Sequence, residues 1–499
     1  MTFTNPILSG DRPDPSVLKD GDVYWMTYSS FEGSPGLPLY SSTDLVNWQY
    51  QGAALTTPLG STFAVDIATH DGRYFIYIPF IPTAWSTEIT EPSIYVIHAD
   101  SMSGPWSEPI DLGIRGAIDP GHIVGEDGDR YLFVSGIRRI RLTADGLATV
   151  GELEKVYDGW RYPDDWVTEA YALEGPKLFR RGEWFYLVSA VGGTAGPPTG
   201  HMVIIARSRS VHGPWENCPD NPIVRTRDAS ERWWSRGHAT IIAGSDDDWW
   251  MLSHGYENGY RTLGRQVLLE PIAWTEDGWP AARADLSAAI EAPRGAAPQQ
   301  PAITVDGPML PLSLGERWTF HAPAPLERDR LGEADGVLSL RGKGTGPAHS
   351  SPLTMVVGAH AYEVEVELEL EPGDPVEGGL LLFFNDRLFC GFGITGERMR
   401  SYSGGLETHW REPAPATRRI ELRLRNDHHI ITGWYRVAGG EWVRHAIRYE
   451  TSGYHANTIG DLLSLRPAIY AAGKGTVRFH RFAYRPLAEI PAPRAEDAR

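Results

Sequence analysis

Asp20-Gly21-Asp22-Val23-Tyr24-Trp25-Met26-Thr27-Tyr28 decides the fold, because the chain returns to its plan four more times. The plan is an Asp-Gly-type turn, then one or two aromatics, then a short apolar run. It recurs as Asp71-Gly72 to Tyr74-Phe75, Asp127-Gly128 to Tyr131, Arg181-Gly182 to Trp184-Phe185, and Asp247-Asp248 to Trp249-Trp250. The first aromatics are 50, 57, 53 and 65 residues apart. A turn pair followed by an aromatic, β-branched run is a hairpin signal. Five copies at a near-constant period mark one repeated supersecondary unit, as radial β architectures require.

A polar residue begins the strand before each turn. These are Asp14 in Arg12-Pro13-Asp14-Pro15, Asp66 in Phe63-Ala64-Val65-Asp66, Asp119 in Ala117-Ile118-Asp119-Pro120, Glu174 in Leu173-Glu174-Gly175-Pro176, and His238 in Arg236-Gly237-His238-Ala239. Each lies 8 to 12 residues ahead of its aromatic. In a propeller, equivalent positions of successive blades point at one axis, so residues some fifty apart become neighbours around one cavity. Four of the five are carboxylates.

Composition sets the outer bounds. A chain of 499 residues is long enough for two to four domains. Its 54 Gly and 38 Pro supply the many turns an all-β chain needs. Eighteen Trp and 21 Tyr suit either platforms for sugar rings or large β-core residues. The formal net charge of −18 argues against a nucleic-acid partner, whose phosphates need a basic surface. Cys218 and Cys390 are the only cysteines, so neither a disulfide framework nor a Cys-based zinc site is available. The sequence shows no basic-then-apolar leader and no uninterrupted apolar run of about 18 residues. The expectation is a cytoplasmic protein with no membrane partner.

Residues 1–285 hold the five copies. A later strand of several copies ends in a recurring turn: Asp44-Leu45-Val46-Asn47-Trp48, Ser103-Gly104-Pro105-Trp106 and His212-Gly213-Pro214-Trp215. About four strands per copy matches one blade, which predicts a five-bladed β-propeller. Its closure needs the N-terminal strand to pair with the last blade. Residues 286–304 are rich in Ala, Pro and Gln without alternation, and read as a linker. Residues 305–490 are again all-β but carry no blade repeat. Tyr362–Leu370 alternates strictly, with one acidic face. A β-sandwich of the concanavalin-like jelly-roll type is expected there, followed by a polar tail at 491–499.

Inward carboxylates imply a division of labour. Two carboxyl groups in different surroundings can act as a base that stays ionised and an acid that stays protonated. That is the requirement for cleaving a glycosidic bond. Asp66 could equally cap a turn.

Arg12-Pro13-Asp14-Pro15-Ser16, Ala117-Ile118-Asp119-Pro120 and Leu173-Glu174-Gly175-Pro176, in register with the blades, resemble the inverting five-bladed propeller enzymes of glycoside hydrolase family 43. The resemblance covers roughly residues 3–280, and the trailing domain is similar to the sandwich attached to many β-xylosidases of that family. It implies Asp14 as the general base, Glu174 as the general acid, and Asp119 as the residue that orients the acid and raises its pKa. It also implies that Arg265, in Leu263-Gly264-Arg265-Gln266, holds the sugar in the innermost subsite. Phe63, Asp66 and Trp234 are further candidates for substrate binding, although Trp234 could simply pack between blades. His238 matches a position that many members place near an axial cation, often calcium. Imidazole is a poor calcium ligand, so water is expected between them, and a hydrogen-bonded histidine without metal is the competing reading. No cofactor is needed for the chemistry.

Glu169 is the chief rival to Glu174 as acid, and the Gly-Pro after Glu174 favours the latter. The function implied is exo-acting, inverting release of a terminal pentose from oligosaccharides, with β-xylosidase ahead of α-L-arabinofuranosidase. Other furanosidases or galactosidases of this fold, a propeller phosphorylase and a non-catalytic sugar-binding protein stand as alternatives. A homo-oligomer is compatible with the sequence.

Overall fold

Each of the five turn copies closes the hairpin between the first and second strands of a four-stranded antiparallel blade, to which the second and fourth blades each add a short fifth strand. The structure is a computed structural model that describes residues 1–81, 91–245, 247–409, 412–437 and 439–488, and it is nearly all β. The tail at 491–499 lies outside the described residues.

Blade 1 runs Ser16–Asp20, Val23–Thr27, Gly36–Ser42 and Gln49–Leu55. Blade 2 runs Asp66–His70, Arg73–Ile81, Ser93–Ala99 and Ile110–Arg115. Blade 3 runs Gly121–Val124, Arg130–Val134, Arg138–Leu142 and Thr149–Lys155. Blade 4 runs Ala170–Arg181, Trp184–Gly192, Met202–Ser208 and Glu216–Asn217. Blade 5 runs Trp233–Ala243, Trp249–Glu257, Gln266–Trp274 and Pro280–Ala282.

Five apolar seams join them into a ring. The seam between blades 1 and 2 includes Leu39, Ile67 and Ile78, that between 2 and 3 Phe75, Val96 and Leu132, and that between 3 and 4 Phe133, Leu187 and Ile204. Tyr186, Val188 and Met251 belong to the fourth. Met26 and Trp48 meet Trp250 and Leu268 in the fifth, which closes the circle. Burying side chains of this size is worth roughly 1.5–3 kcal/mol each, so the seams hold the ring together.

Closure uses the N-terminus as expected. Ile7 donates its N–H to the Val267 carbonyl at 3.0 Å, and Val267 donates back to Leu8 at 3.2 Å. The Asn5 side chain bridges both backbone groups of Leu269. These bonds cover the half of Gln266–Trp274 that Pro280–Ala282 leaves unpaired.

The expected linker is different in kind. Ile290–Glu291 pairs with Thr2–Phe3, and Leu286, Ile290 and Ala296 are buried in the seam between blades 1 and 5. Asp44 accepts from the Ala297 N–H, and Gln299 bonds Thr4. Residues 286–300 are therefore a strap on the propeller. They show no alternation because the strap inserts isolated apolar plugs and otherwise lies on the surface. The chain divides into a unit of 1–300 with 314–325 and a unit of 301–313 with 326–499. Within the first, Thr319–His321 pairs with Gly33–Ser34.

The second unit holds two antiparallel sheets. One has the order Leu331–Ala334, Val337–Arg341, Thr476–Pro486, Ala361–Leu370, Arg419–Asp427, Ile430–Val437 and Val443–Glu450. The other includes Arg398–Ser403, Leu388–Ile394, Val376–Asn385 and Arg466–Gly473. The sheets face each other, with His445 stacked on Phe392 at 5.4 Å. The acidic face of Tyr362–Leu370 is answered by arginines of neighbouring strands: Glu365 pairs with Arg423 at 2.6 Å and Glu367 with Arg419 at 2.7 Å.

Candidate active site

The first strand of a blade reaches the axis at its start, and in four of the five blades, all but blade 2, the backbone leaves the β region there. Asp14, Asp119 and His238 adopt φ of +59°, +57° and +48°. Such a conformation costs a residue with a Cβ roughly 1–2 kcal/mol and gathers at functional sites. In blade 4 the left-handed residue is Gly175, at φ +61°, directly after Glu174. The strands of blades 4 and 5 also shift register around Glu174 and between Gly237 and Thr240. Each kink turns a side chain out of the in-and-out alternation.

The result is one cluster. His238 lies with Nδ1 3.5 Å from Asp14 Oδ1, and with Nε2 3.5 Å from Asp119 Oδ2 and 3.8 Å from Glu174 Oε1. Arg265 Nη1 donates to Asp14 Oδ1 at 3.0 Å, and Ser29 Oγ donates to Oδ2. The Gly175 N–H donates to Asp119 Oδ2 at 3.1 Å, which fixes the peptide beside Glu174. The Asp14 and Asp119 side chains are 5% and 4% exposed and that of Glu174 is 19% exposed, so Glu174 is the acid that solvent can reach.

Their charges diverge. Burial works against an ionised Asp14, but the Arg265 guanidinium, with the charged His238 beside it, holds the carboxyl well below its usual range. Burial raises Glu174 and the Asp14 charge adds to it, against His238 and Arg265. Two like charges thus meet Glu174, since it is raised by Asp14 and in turn raises Asp119. Asp119 is itself raised, first by burial. For His238 burial disfavours charge, yet Asp14, Asp119 and Glu174 together push it up to about 9. Asp14 is ionised and Glu174 protonation-competent within one cluster, the split that acid–base chemistry requires.

Arg265 is 2% exposed, and its Nε and Nη2 have no hydrogen-bond partner among the described residues. Two buried guanidinium donors beside a base are placed to receive hydroxyls. Its guanidinium lies 5.4 Å over the Phe31 ring, and Phe63 meets Phe31 edge-on at 5.3 Å, which brings Phe63 into the same surroundings.

Asp66 and Trp234 are placed differently. Asp66 takes the Lys177 ammonium at 2.7 Å, the Ser16 hydroxyl at 3.2 Å and the His122 N–H at 2.7 Å. Its carboxylate is spent tying blades 1 to 4 together, which corrects its reading as a substrate ligand. Trp234 commits its indole N–H to the Ala229 carbonyl at 3.2 Å and lies under Arg261. Glu169 accepts from the Ala195 N–H at 2.8 Å and anchors the Gly/Pro-rich loop at 192–201, leaving Glu174 as the acid beside His238.

Sequence reasoning missed His201, His254 and Phe31. His254 faces Gly237 across the hairpin of blade 5, and His201 closes the Gly/Pro-rich loop. A usable signal lay in and just past the second strands, where His254 and Ser29 bond to the backbone at Asp14 and Pro13.

Among the described residues, Glu174, His201 and His238 bring donor atoms within 4.8 Å of one another. Two nitrogens and one carboxylate do not fit calcium, which takes six to eight oxygens. His238, charged between three acids, already serves as the local cation.

The description "Glycosyl hydrolases family 43" matches residues 3–280. A xylan 1,3-beta-xylosidase of Vibrio sp is 30% identical over 396 residues, which span 68% of this chain and 69% of that one. The non-reducing end alpha-L-arabinofuranosidase BoGH43B of Bacteroides ovatus is 32% identical over 302 residues, 56% of this chain and 53% of that one, so the match spans about half of it. The crystal structure of the GH43 protein BlXynB from Bacillus licheniformis shares the fold, with a TM-score of 0.86 over 98% of this chain and 100% of that one at 23% identity. With the family's pattern running the length of a propeller whose axis gathers a cation, an ionised acid and a protonatable one, the chain belongs to glycosyl hydrolases family 43 and is a glycoside hydrolase.

Proposed function

We propose that the enzyme removes a terminal pentose from the non-reducing end of an oligosaccharide with inversion at the anomeric carbon, and that the sugar is xylose. The opposed charge state of Asp14 and Glu174 on either side of His238 carries the acid–base hydrolysis, while inversion rests on the likeness to the family and is tested below. Asp14 takes a proton from the attacking water. Glu174 gives its proton to the glycosidic oxygen as the bond to the anomeric carbon breaks. Asp119 holds the Gly175 peptide and so the direction of Glu174, and Arg265 offers its two unused donors to sugar hydroxyls.

The Vibrio relative's name supports xylose, and the Bacteroides relative's name supports α-L-arabinofuranose as the second choice. No cofactor enters the chemistry. Both cysteines are free and buried, which suits a reducing compartment, and we place the enzyme in the cytoplasm acting on short imported oligosaccharides. A panel of nitrophenyl glycosides tests the sugar, and proton NMR of the first-formed anomer tests the stereochemistry. A product that keeps the substrate's configuration refutes the inverting roles of Asp14 and Glu174. Turnover that depends on phosphate points instead to a phosphorylase.

A further inference from the structure

Two buried histidines connect the base to the acid beneath the cluster. The Asp14 N–H donates to His254 Nδ1 at 3.1 Å. His254 Nε2 lies 3.3 Å from His201 Nδ1 and 3.3 Å from Thr194 Oγ1. His201 Nε2 lies 3.4 Å from Glu174 Oε1, short of hydrogen-bond geometry, and has no hydrogen-bond partner among the described residues, although both rings are 0% exposed. His201 fits there because position 237 is glycine, where an added Cβ would come within 2.1 Å of its Nδ1.

The proton positions follow from one end. His254 Nδ1 is also 3.0 Å from Asp14 Oδ1, but a single lone pair or proton cannot serve both groups. The Asp14 carboxylate already has Arg265 and Ser29 as donors, whereas its peptide N–H points at Nδ1, and a buried N–H is rarely left unpaired. Nδ1 of His254 is therefore bare and Nε2 carries the proton. That proton faces Nδ1 of His201, which must be bare in turn, and His201 carries its own proton on Nε2. Burial keeps both rings neutral, His201 with a pKa of about 3.

We propose that His201 is a positioning residue for the proton donor: its Nε2–H, set through His254 from the Asp14 backbone, caps Glu174 Oε1 and leaves the acidic proton on Oε2. In the reaction the Oε2–H bond breaks as the leaving oxygen takes the proton, the anomeric carbon exchanges that oxygen for water's, and Asp14 receives water's proton. His201 keeps its own proton throughout. The unpaired N–H closes the 3.4 Å gap to a hydrogen bond as Glu174 becomes a carboxylate, since bonds to ionised acceptors are the stronger kind. The bond thus favours the transition state over the ground state.

This rests on Glu174 as the proton donor, so Glu174→Gln is run first. It should lose activity on an alkyl glycoside or disaccharide far more than on the dinitrophenyl glycoside of the same sugar, whose leaving group needs no proton. His201→Phe should then lower kcat/KM about 10- to 100-fold on the poor leaving group and only about two-fold on the dinitrophenyl glycoside, with His201→Gln recovering most of the loss. If Glu174→Gln shows no such selectivity, the role of Glu174 fails. If it does but His201→Phe affects both substrates alike or neither, only the role of His201 fails. Nitrogen-15 NMR of histidine-labelled wild type needs no variant: Nε2–H tautomers at His201 and His254 are expected, and an Nδ1–H tautomer at His201 overturns the proposal.

Discussion

His238 makes the stability of the propeller depend on pH in a direction that can be computed. Its side chain is 8% exposed and its pKa lies at about 9, against 6.5 for a free histidine. A group whose folded pKa is raised stabilises the fold fully below its unfolded pKa, and that stability is lost as pH rises through the folded value. At about 1.4 kcal/mol per unit, the gap amounts to about 3 kcal/mol, lost between roughly pH 6.5 and 10. The perturbation is therefore alkaline pH, and the control is His238→Gln, which cannot titrate. Calorimetric melting of the propeller transition at several pH values gives both curves, and groups that titrate in both proteins cancel in the difference. Wild type should lose about 3 kcal/mol more than the variant across that window. Parallel curves would mean that His238 is not charged between its three acids, and the electrostatic account of Asp14 and Glu174 would fall with it.

Arg265→Met removes the first cation that holds Asp14 down, so the acid limb of the kcat/KM profile should move to higher pH, and a limb that stays in place would separate Arg265 from the base. Lys177→Met strands the buried Asp66 carboxylate and should cost about 3–5 kcal/mol in urea unfolding, with Asp66→Leu in the same chain restoring part of it. A chain ending at residue 325 should give more soluble propeller than one ending at 300, because only the longer one keeps Thr319–His321 on the Gly33–Ser34 edge; equal yields would make that strand dispensable.

What the sequence made legible was local or periodic. The turn and aromatic of each copy sit within a few residues of each other, so hairpin chemistry displays them whatever the tertiary context. The axial positions follow from the period, which is why Asp14, Asp119, Glu174 and His238 could be named together. Asp66 obeys the same period and still differs, since its fate was decided by Lys177, 111 residues away. Nothing near Asp66 announces that ammonium. The strap at 286–300 was misread for a related reason: Leu286, Ile290 and Ala296 each fill a gap made by other blades, and plugs for someone else's core have no period of their own.

The axial kinks went unread as well, and they bear most on function. A left-handed Asp is tolerable and a left-handed His less so, yet Asp14, Asp119 and His238 all accept it, blade 4 uses Gly175 instead, and blade 2 has no left-handed residue at Asp66. Three such residues at equivalent positions are not accidents of separate loops. Ring closure fixes where each first strand begins, and the kink is what turns its side chain toward the axis from there. The strain is carried by the five apolar seams, which adjoin the cluster at Leu173 and Ala239 but whose members on third strands, such as Ile140 and Ile272, can be varied without touching the acids. A seam substitution should therefore lower stability while leaving the acid and base limbs of the pH profile where they are, whereas relaxing a kink should move the limbs first.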